Sequence, residues 1–277
     1  MNTNATVSQG KDETIEKLAR FGMGAKGVTY IILGVLTAMT AFNEGGQKAG
    51  QGDALEFLYS QPFGKVLLAI LAIGLIGYVI WRFVQAFRDP EDKGDDKTGI
   101  GKRIGCAISG ILYGLLAYKA IQLLLSSGSS GGSSGGGSNQ QMVGTLLEQP
   151  FGQFLVGAVA LAVLGKGIYQ IYRAYSGKFK EKIKSTGLDR RIQDLVMKAG
   201  RVGYTARGVV IGVIAYTLMR AAITANASQA EGTKGAFSFI QSSSYGSILL
   251  GIVAIGLACY GVFQIIKARY RVMPSSI

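Results

Sequence analysis

Five basic side chains lie within or at the edges of long apolar runs: Lys26, Lys119, Lys166, Arg207 and Arg220. A cation in such a setting is costly unless it meets water, a carbonyl, a hydroxyl or an anion. The chemistry it offers is anion binding. The 16 acidic residues all lie outside the middle of these runs, so no carboxylate is available there as a partner or as a proton relay. The 277 residues include no histidine, which excludes Ser-His-Asp triads and histidine-ligated zinc or haem. Two cysteines, Cys106 and Cys259, cannot make a four-thiolate metal site, and they read as small packing residues. No cofactor or metal is expected. Gly22-Met-Gly-Ala-Lys-Gly27 superficially resembles a phosphate loop. It lacks the spacing and the preceding strand that such a loop needs, so it reads as a helix start.

The elements that must position these cations are membrane helices. Charged residues make up 16% of the chain and hydrophobic ones 48%, with a mean hydropathy of +0.30. Six apolar runs stand at about 24–42, 64–87, 104–125, 152–173, 203–224 and 246–267. Each is about 20 residues or longer, enough to cross a hydrocarbon core about 30 Å thick. The expectation is an all-α polytopic membrane protein. Residues 1–20 hold no apolar segment, so the first run is read as an uncleaved anchor. Of 29 basic residues, 22 fall in the segments 1–26, 82–103, 173–201 and 267–271, whereas the alternate loops hold only Lys48 and Lys234. Basic residues collect on the cytoplasmic side, so both termini are expected there. The net charge of +13 is then largely an orientation signal and implies no nucleic acid.

The six runs form three parallel two-helix repeats, over 20–88, 103–176 and 201–272, which implies pseudo-three-fold symmetry along the membrane normal. Between and around them lie a tail at 1–19, a loop at 89–102, a basic loop at 177–200 and a tail at 273–277. The odd helices open on Arg20-Phe-Gly22, Arg103-Ile-Gly105 and Arg201-Val-Gly203, with further glycines at Gly27, Gly110 and Gly208. The even helices open on Gln61-Pro-Phe-Gly64, Gln149-Pro-Phe-Gly152 and Ser243-Ser-Tyr-Gly246. Ala69, Ala72 and Gly74, with their counterparts in the other repeats, put small residues at fixed offsets from these glycines. Small residues let helix backbones approach in lipid, so these nine glycines are expected at helix contacts, with the even helices packed on two sides. Ala54–Leu58, Met142–Leu147 and Ala236–Ile240 read as short interfacial helices. The stretch 126–138 in the second repeat reads as a flexible Gly/Ser linker, and Asp89–Asp96 as an acidic solvated loop. Ile192, Leu195, Val196 and Ala199 read as an amphipathic surface helix within the basic loop.

These Arg-x-Gly openings, the Gln-Pro-Phe-Gly corner and the tandem two-helix units resemble the bacterial domain-of-unknown-function family 1206. The resemblance covers about residues 18–272 and implies an integral membrane protein. It carries no activity, ligand or functional residue. The third repeat departs at Ser244 and Tyr245, which implies a looser corner there.

Register between repeats sets out the candidate site. Lys26 and Arg207 are equivalent, with Ser109 between them, and lie about 9 Å inside their helices. Arg82, Gln170 and Gln264 are equivalent on the even helices. With Lys166 they form a candidate layer of anion or lipid-phosphate contacts. The alternative is that the long side chains snorkel to the headgroups, which is the reading given to Lys119 and Arg220. Lys166 has Tyr78 and Tyr260 as its counterparts, and it either hydrogen-bonds neighbouring tyrosines or lines an aqueous path. Trp81, Tyr169 and Phe263 read as an interfacial aromatic girdle. Three functions compete: a non-catalytic accessory or scaffold protein with a homo-oligomer or membrane-protein partner, a passive channel or carrier for anions or small solutes, and a lipid-modifying enzyme. The first is favoured, and the lack of catalytic groups ranks the enzyme last.

Overall fold

The computed structural model describes residues 3–42, 50–88, 96–125, 140, 143–176 and 189–270. The Gly/Ser stretch, nearly all of the acidic loop, the first half of the basic loop and the C-terminal tail lie outside the described residues. No strand is assigned among the described residues. Besides a short helical stretch at 143–147, the α-helices are α1 (Thr3–Ala41), α2 (Gln51–Ser60), α3 (Gly64–Phe87), α4 (Lys97–Leu125), α5 (Gly152–Tyr175), α6 (Arg190–Thr224), α7 (Thr233–Gln241) and α8 (Gly246–Tyr270). Six of them, α1, α3, α4, α5, α6 and α8, are long and apolar enough to span a bilayer.

The spans form a ring that is not quite closed. Each odd span packs against an even span of another repeat: α1 on α8, α4 on α3, and α6 on α5. Within repeats, α1 packs on α3 and α6 on α8. The two spans of the second repeat, α4 and α5, form no packed pair. The ring therefore runs α4–α3–α1–α8–α6–α5, and its ends face each other across a gap.

The repeated glycines explain the contacts that do form. Between repeats, Gly27 lies against Gly261 and Ile265, and Gly208 lies against Gly167 and Ile171. Gly110 meets Phe83 and Arg82 on α3 in the same way. Within repeats, a methyl group at Gly203 would stand 2.6 Å from Tyr260 Cα, and one at Gly22 would strike the Tyr78 backbone. Gly64, Gly152 and Gly246 serve the corners, where an added Cβ would meet carbonyls of the segment just before the helix. Gly105 is the exception among the nine. It faces no atom within 4 Å, because α5 is absent from the side on which Gly22 and Gly203 meet their partners.

Two corners place a phenylalanine in the left-handed region, Phe63 at φ 59° and Phe151 at φ 62°. The third closes with the same turn bond, Gly246 N–H to the Ser243 carbonyl at 2.9 Å, and Tyr245 keeps negative φ. Two of the three opening arginines cap carbonyls of the neighbouring even span. Arg103 donates to Ala86 O at 2.9 Å and Phe87 O at 3.2 Å, and Arg20 donates to Arg269 O at 3.4 Å. These bonds satisfy carbonyls that a helix end leaves open.

Several expectations are corrected. The segment 190–200 is the first part of α6, which runs unbroken from Arg190 into the fifth span. The tail at 1–19 is already helical from Thr3, as suits a stretch from Lys11 to Ala19 without glycine or proline. The even spans are not a class of inner helices. In the ring α1, α3, α6 and α8 each have two neighbouring spans, whereas α4 and α5 each have one. Trp81 and Phe263 are buried at 2% and 3% exposure, so of the supposed girdle only Tyr169 faces outward. The short helices pack into the bundle rather than lying on its surface, with Ala54, Leu55, Ala236 and Phe237 at 0–1% exposure. Isoleucines such as Ile70, Ile73, Ile76 and Ile80 take the exposed stripe of α3, while Leu68, Leu71, Leu75 and Tyr78 point inward.

Candidate functional site

Inside the ring, at the level where the repeats carry Lys26 and Arg207, cations and tyrosines share one chamber. Lys26 is 1% exposed. Its ammonium donates to the Tyr78 hydroxyl at 2.8 Å. It also stands 4.7 Å from the ring centres of both Tyr78 and Tyr113, and 5.8 Å from that of Tyr260. Four spans thus converge on a single lysine. Cation–π contact of this kind partly replaces the lost hydration.

Arg82 and Arg207 flank it. Arg82 Nε donates to the same Tyr78 hydroxyl at 2.7 Å, and its Nη1 donates to Gln85 Oε1 at 2.8 Å. The Cys106 sulfur lies 3.6 Å from that nitrogen. Arg207 Nη1 donates to the Tyr260 hydroxyl at 2.6 Å, and the guanidinium lies 5.3 Å from the Tyr30 ring centre. Tyr30 meets Tyr260 edge-on, and Tyr78 meets Tyr113 edge-on, both at 4.8 Å. Tyr113 donates to Tyr30 at 3.5 Å, and Gln51 from α2 reaches the Tyr30 hydroxyl at 2.8 Å. The short helix α2 therefore closes the chamber from the hairpin end.

The chamber is rich in donors and poor in acceptors. No carboxylate pairs with Lys26, Arg82 or Arg207 among the described residues. Three guanidinium or ammonium groups held together with only hydroxyls, rings, one amide and one thiol as partners leave a net positive interior. Such a site can hold an anion. Among the described residues, no group of three or more His, Cys, Asp or Glu side chains is placed to bind a metal.

The predicted layer is only partly assembled. Lys26, Arg82 and Arg207 come together through Tyr78 and Tyr260. Gln264 is buried near this level, with its Oε1 unpartnered, and Gln170 is buried on α5. Lys166 hydrogen-bonds no tyrosine. It is exposed at the gap, within Coulombic range of Arg82 and Arg207. Lys119 does not simply snorkel, since its ammonium lies 2.7 Å from Glu56 on α2. Arg220 is exposed near the hairpin end of α6. Sequence reasoning missed Tyr30, Tyr113, Gln85 and Gln51. The first two had a signal: each stands four residues after Lys26 or its equivalent Ser109, one helical turn on.

Comparison with known proteins agrees with the repeat architecture. The protein is 33% identical over 270 residues to the uncharacterized protein YxxB of Bacillus subtilis (strain 168), covering 96% of each chain. No solved structure matches. The profile of the Domain of Unknown Function (DUF1206) matches three times, over residues 21–89, 104–177 and 202–271. The chain belongs to this family, as a polytopic membrane protein built from three tandem copies of its two-helix domain.

Proposed function

We propose that this protein is a non-catalytic accessory or scaffold protein of the bacterial inner membrane, with both termini cytoplasmic, and that it works by what it binds. The observation that carries this reading is the packing of the chamber. Lys26, Tyr78 and Tyr260 are all 1–2% exposed, and side chains from four spans fill the centre of the ring. Filled, hydrogen-bonded space favours a fixed architecture over a conducting path. The chamber's described residues pair no nucleophile with a base, which favours binding over catalysis. Purification of the full chain in mild detergent should yield a homo-oligomer or partner complex of constant stoichiometry. Reconstitution in planar bilayers should yield no conductance. A strictly monomeric, partner-free protein would refute the scaffold reading.

The second reading, a passive channel or carrier for anions or small solutes, draws on one observation. The chamber's cations are central in the ring and Lys166 opens beside them. Liposome anion flux that disappears in Lys166→Ala would establish it in place of the first.

A further inference from the structure

The gap in the ring is written into the sequence of the second repeat. Four positions make the helix contact within the first and third repeats: Gly22, Ala25, Gly74 and Tyr78, and Gly203, Ala206, Gly256 and Tyr260. All eight residues are buried. Their counterparts in the second repeat are Gly105, Ile108, Ala162 and Lys166, and all four are exposed. Ile108 replaces an alanine whose Cβ would already collide with one added at the facing glycine, and Ala162 replaces that glycine. The close approach available to the other repeats is sterically denied here, and a lysine stands where a tyrosine would seal the pair.

The gap is cationic at one level and apolar along its walls. Among the described residues Lys166 has no hydrogen-bonding or ionic partner, and it lies within Coulombic range of Arg82 and Arg207. Arg207 donates from Nη1 alone, which leaves most of its N–H groups unpaired. Toward the hairpin end from this level the gap is flanked by exposed Ile108 and Leu112 on α4 and by exposed Leu155 and Val159 on α5, which share the helix face of Ala162 and Lys166. Lys166 is nine residues from the end of α5, about 13 Å along the helix, of which its own stem spans about half.

The geometry points to an anionic phospholipid as the occupant of this gap, its phosphate on Lys166 with Arg82 and Arg207 behind, and its acyl chains along the apolar walls. Charge decides between occupants. A second copy of this chain has no acidic residue in the middle of its spans to offer Lys166. A free inorganic anion would satisfy the cations and leave the walls uncovered. Anionic lipid supplies both parts.

The test uses the full-length protein in nanodiscs of equal phosphatidylglycerol and phosphatidylcholine, released into native mass spectrometry. Phosphatidylglycerol should be retained selectively, and its occupancy should fall about five- to tenfold in Lys166→Ala. Lys166→Arg should restore it, which separates a charge role from a folding defect. Three outcomes would overturn the inference: no preference over phosphatidylcholine, retention unchanged in Lys166→Ala, or displacement of the lipid by millimolar inorganic phosphate. The last would assign the site to a free anion. None of these readouts depends on partner complexes or conductance, so their failure leaves the accessory reading standing.

Discussion

Single residues in this protein have effects that depend on which repeat holds them. Gly22 and Gly105 are equivalent in sequence, yet one abuts a helix backbone and the other faces open space. Gly22→Ala should therefore destabilise by about 1 to 3 kcal/mol, because the Tyr78 backbone cannot yield. Gly105→Ala should be neutral or slightly stabilising, since alanine is the better helix former. Paired thermal melts in detergent check both, and equal effects would contradict the open gap. The chamber makes a second prediction. The Tyr78 hydroxyl accepts from both Lys26 and Arg82. Tyr78→Phe leaves two buried cations without that acceptor and should cost about 1 to 3 kcal/mol. In a double-mutant cycle with Lys26→Met the two losses should not add, because one group removes the other's need.

Helices here are decided less by their own hydropathy than by which faces carry small residues. The spans α3 and α8 each have two neighbours and α5 has one, although all three are apolar enough to span and open on the same kind of corner. Small residues at Gly74 and Gly256 admit a partner within the repeat, whereas Ala162 and its facing Ile108 do not. A cysteine pair at Ile108 and Ala162, in a background with Cys106 and Cys259 replaced by alanine, should resist oxidative cross-linking in the native protein. A disulfide needs Cα atoms within about 7 Å, so rapid quantitative cross-linking would show that α4 and α5 close on each other. The short helices act as wedges at this scale. Through Gln51 and Glu56, α2 ties the hairpin end to Tyr30 on α1 and Lys119 on α4.

Across the whole molecule, the distribution of basic residues predicts how the ring sits in the membrane. With both termini cytoplasmic, a cysteine at Ser275 should react with an impermeant maleimide only after the cells are permeabilised. One at Ser243, in the corner before α8, should react in intact cells. The reverse pattern would invert the topology and place the cationic chamber in the opposite leaflet.

The sequence by itself determined the number of spans, their grouping into three parallel repeats and the glycines at most contacts. Apolar length and repeat register are properties of the chain alone, readable wherever the bilayer, and not a partner, sets the requirement. It also marked Lys26, Arg82 and Arg207 as candidate site residues. What it could not show was the interior. In a membrane protein both the lipid-facing and the buried side of a helix are apolar, so Trp81 and Phe263 carry no sign of facing inward. Repeat equivalence gives the changes to Ile108, Ala162 and Lys166, but not that these positions would face one another across a helix contact. Only the tertiary structure decided these, because helix contact depends on both facing surfaces at once. The tyrosine box around Lys26 likewise exists only when four spans meet.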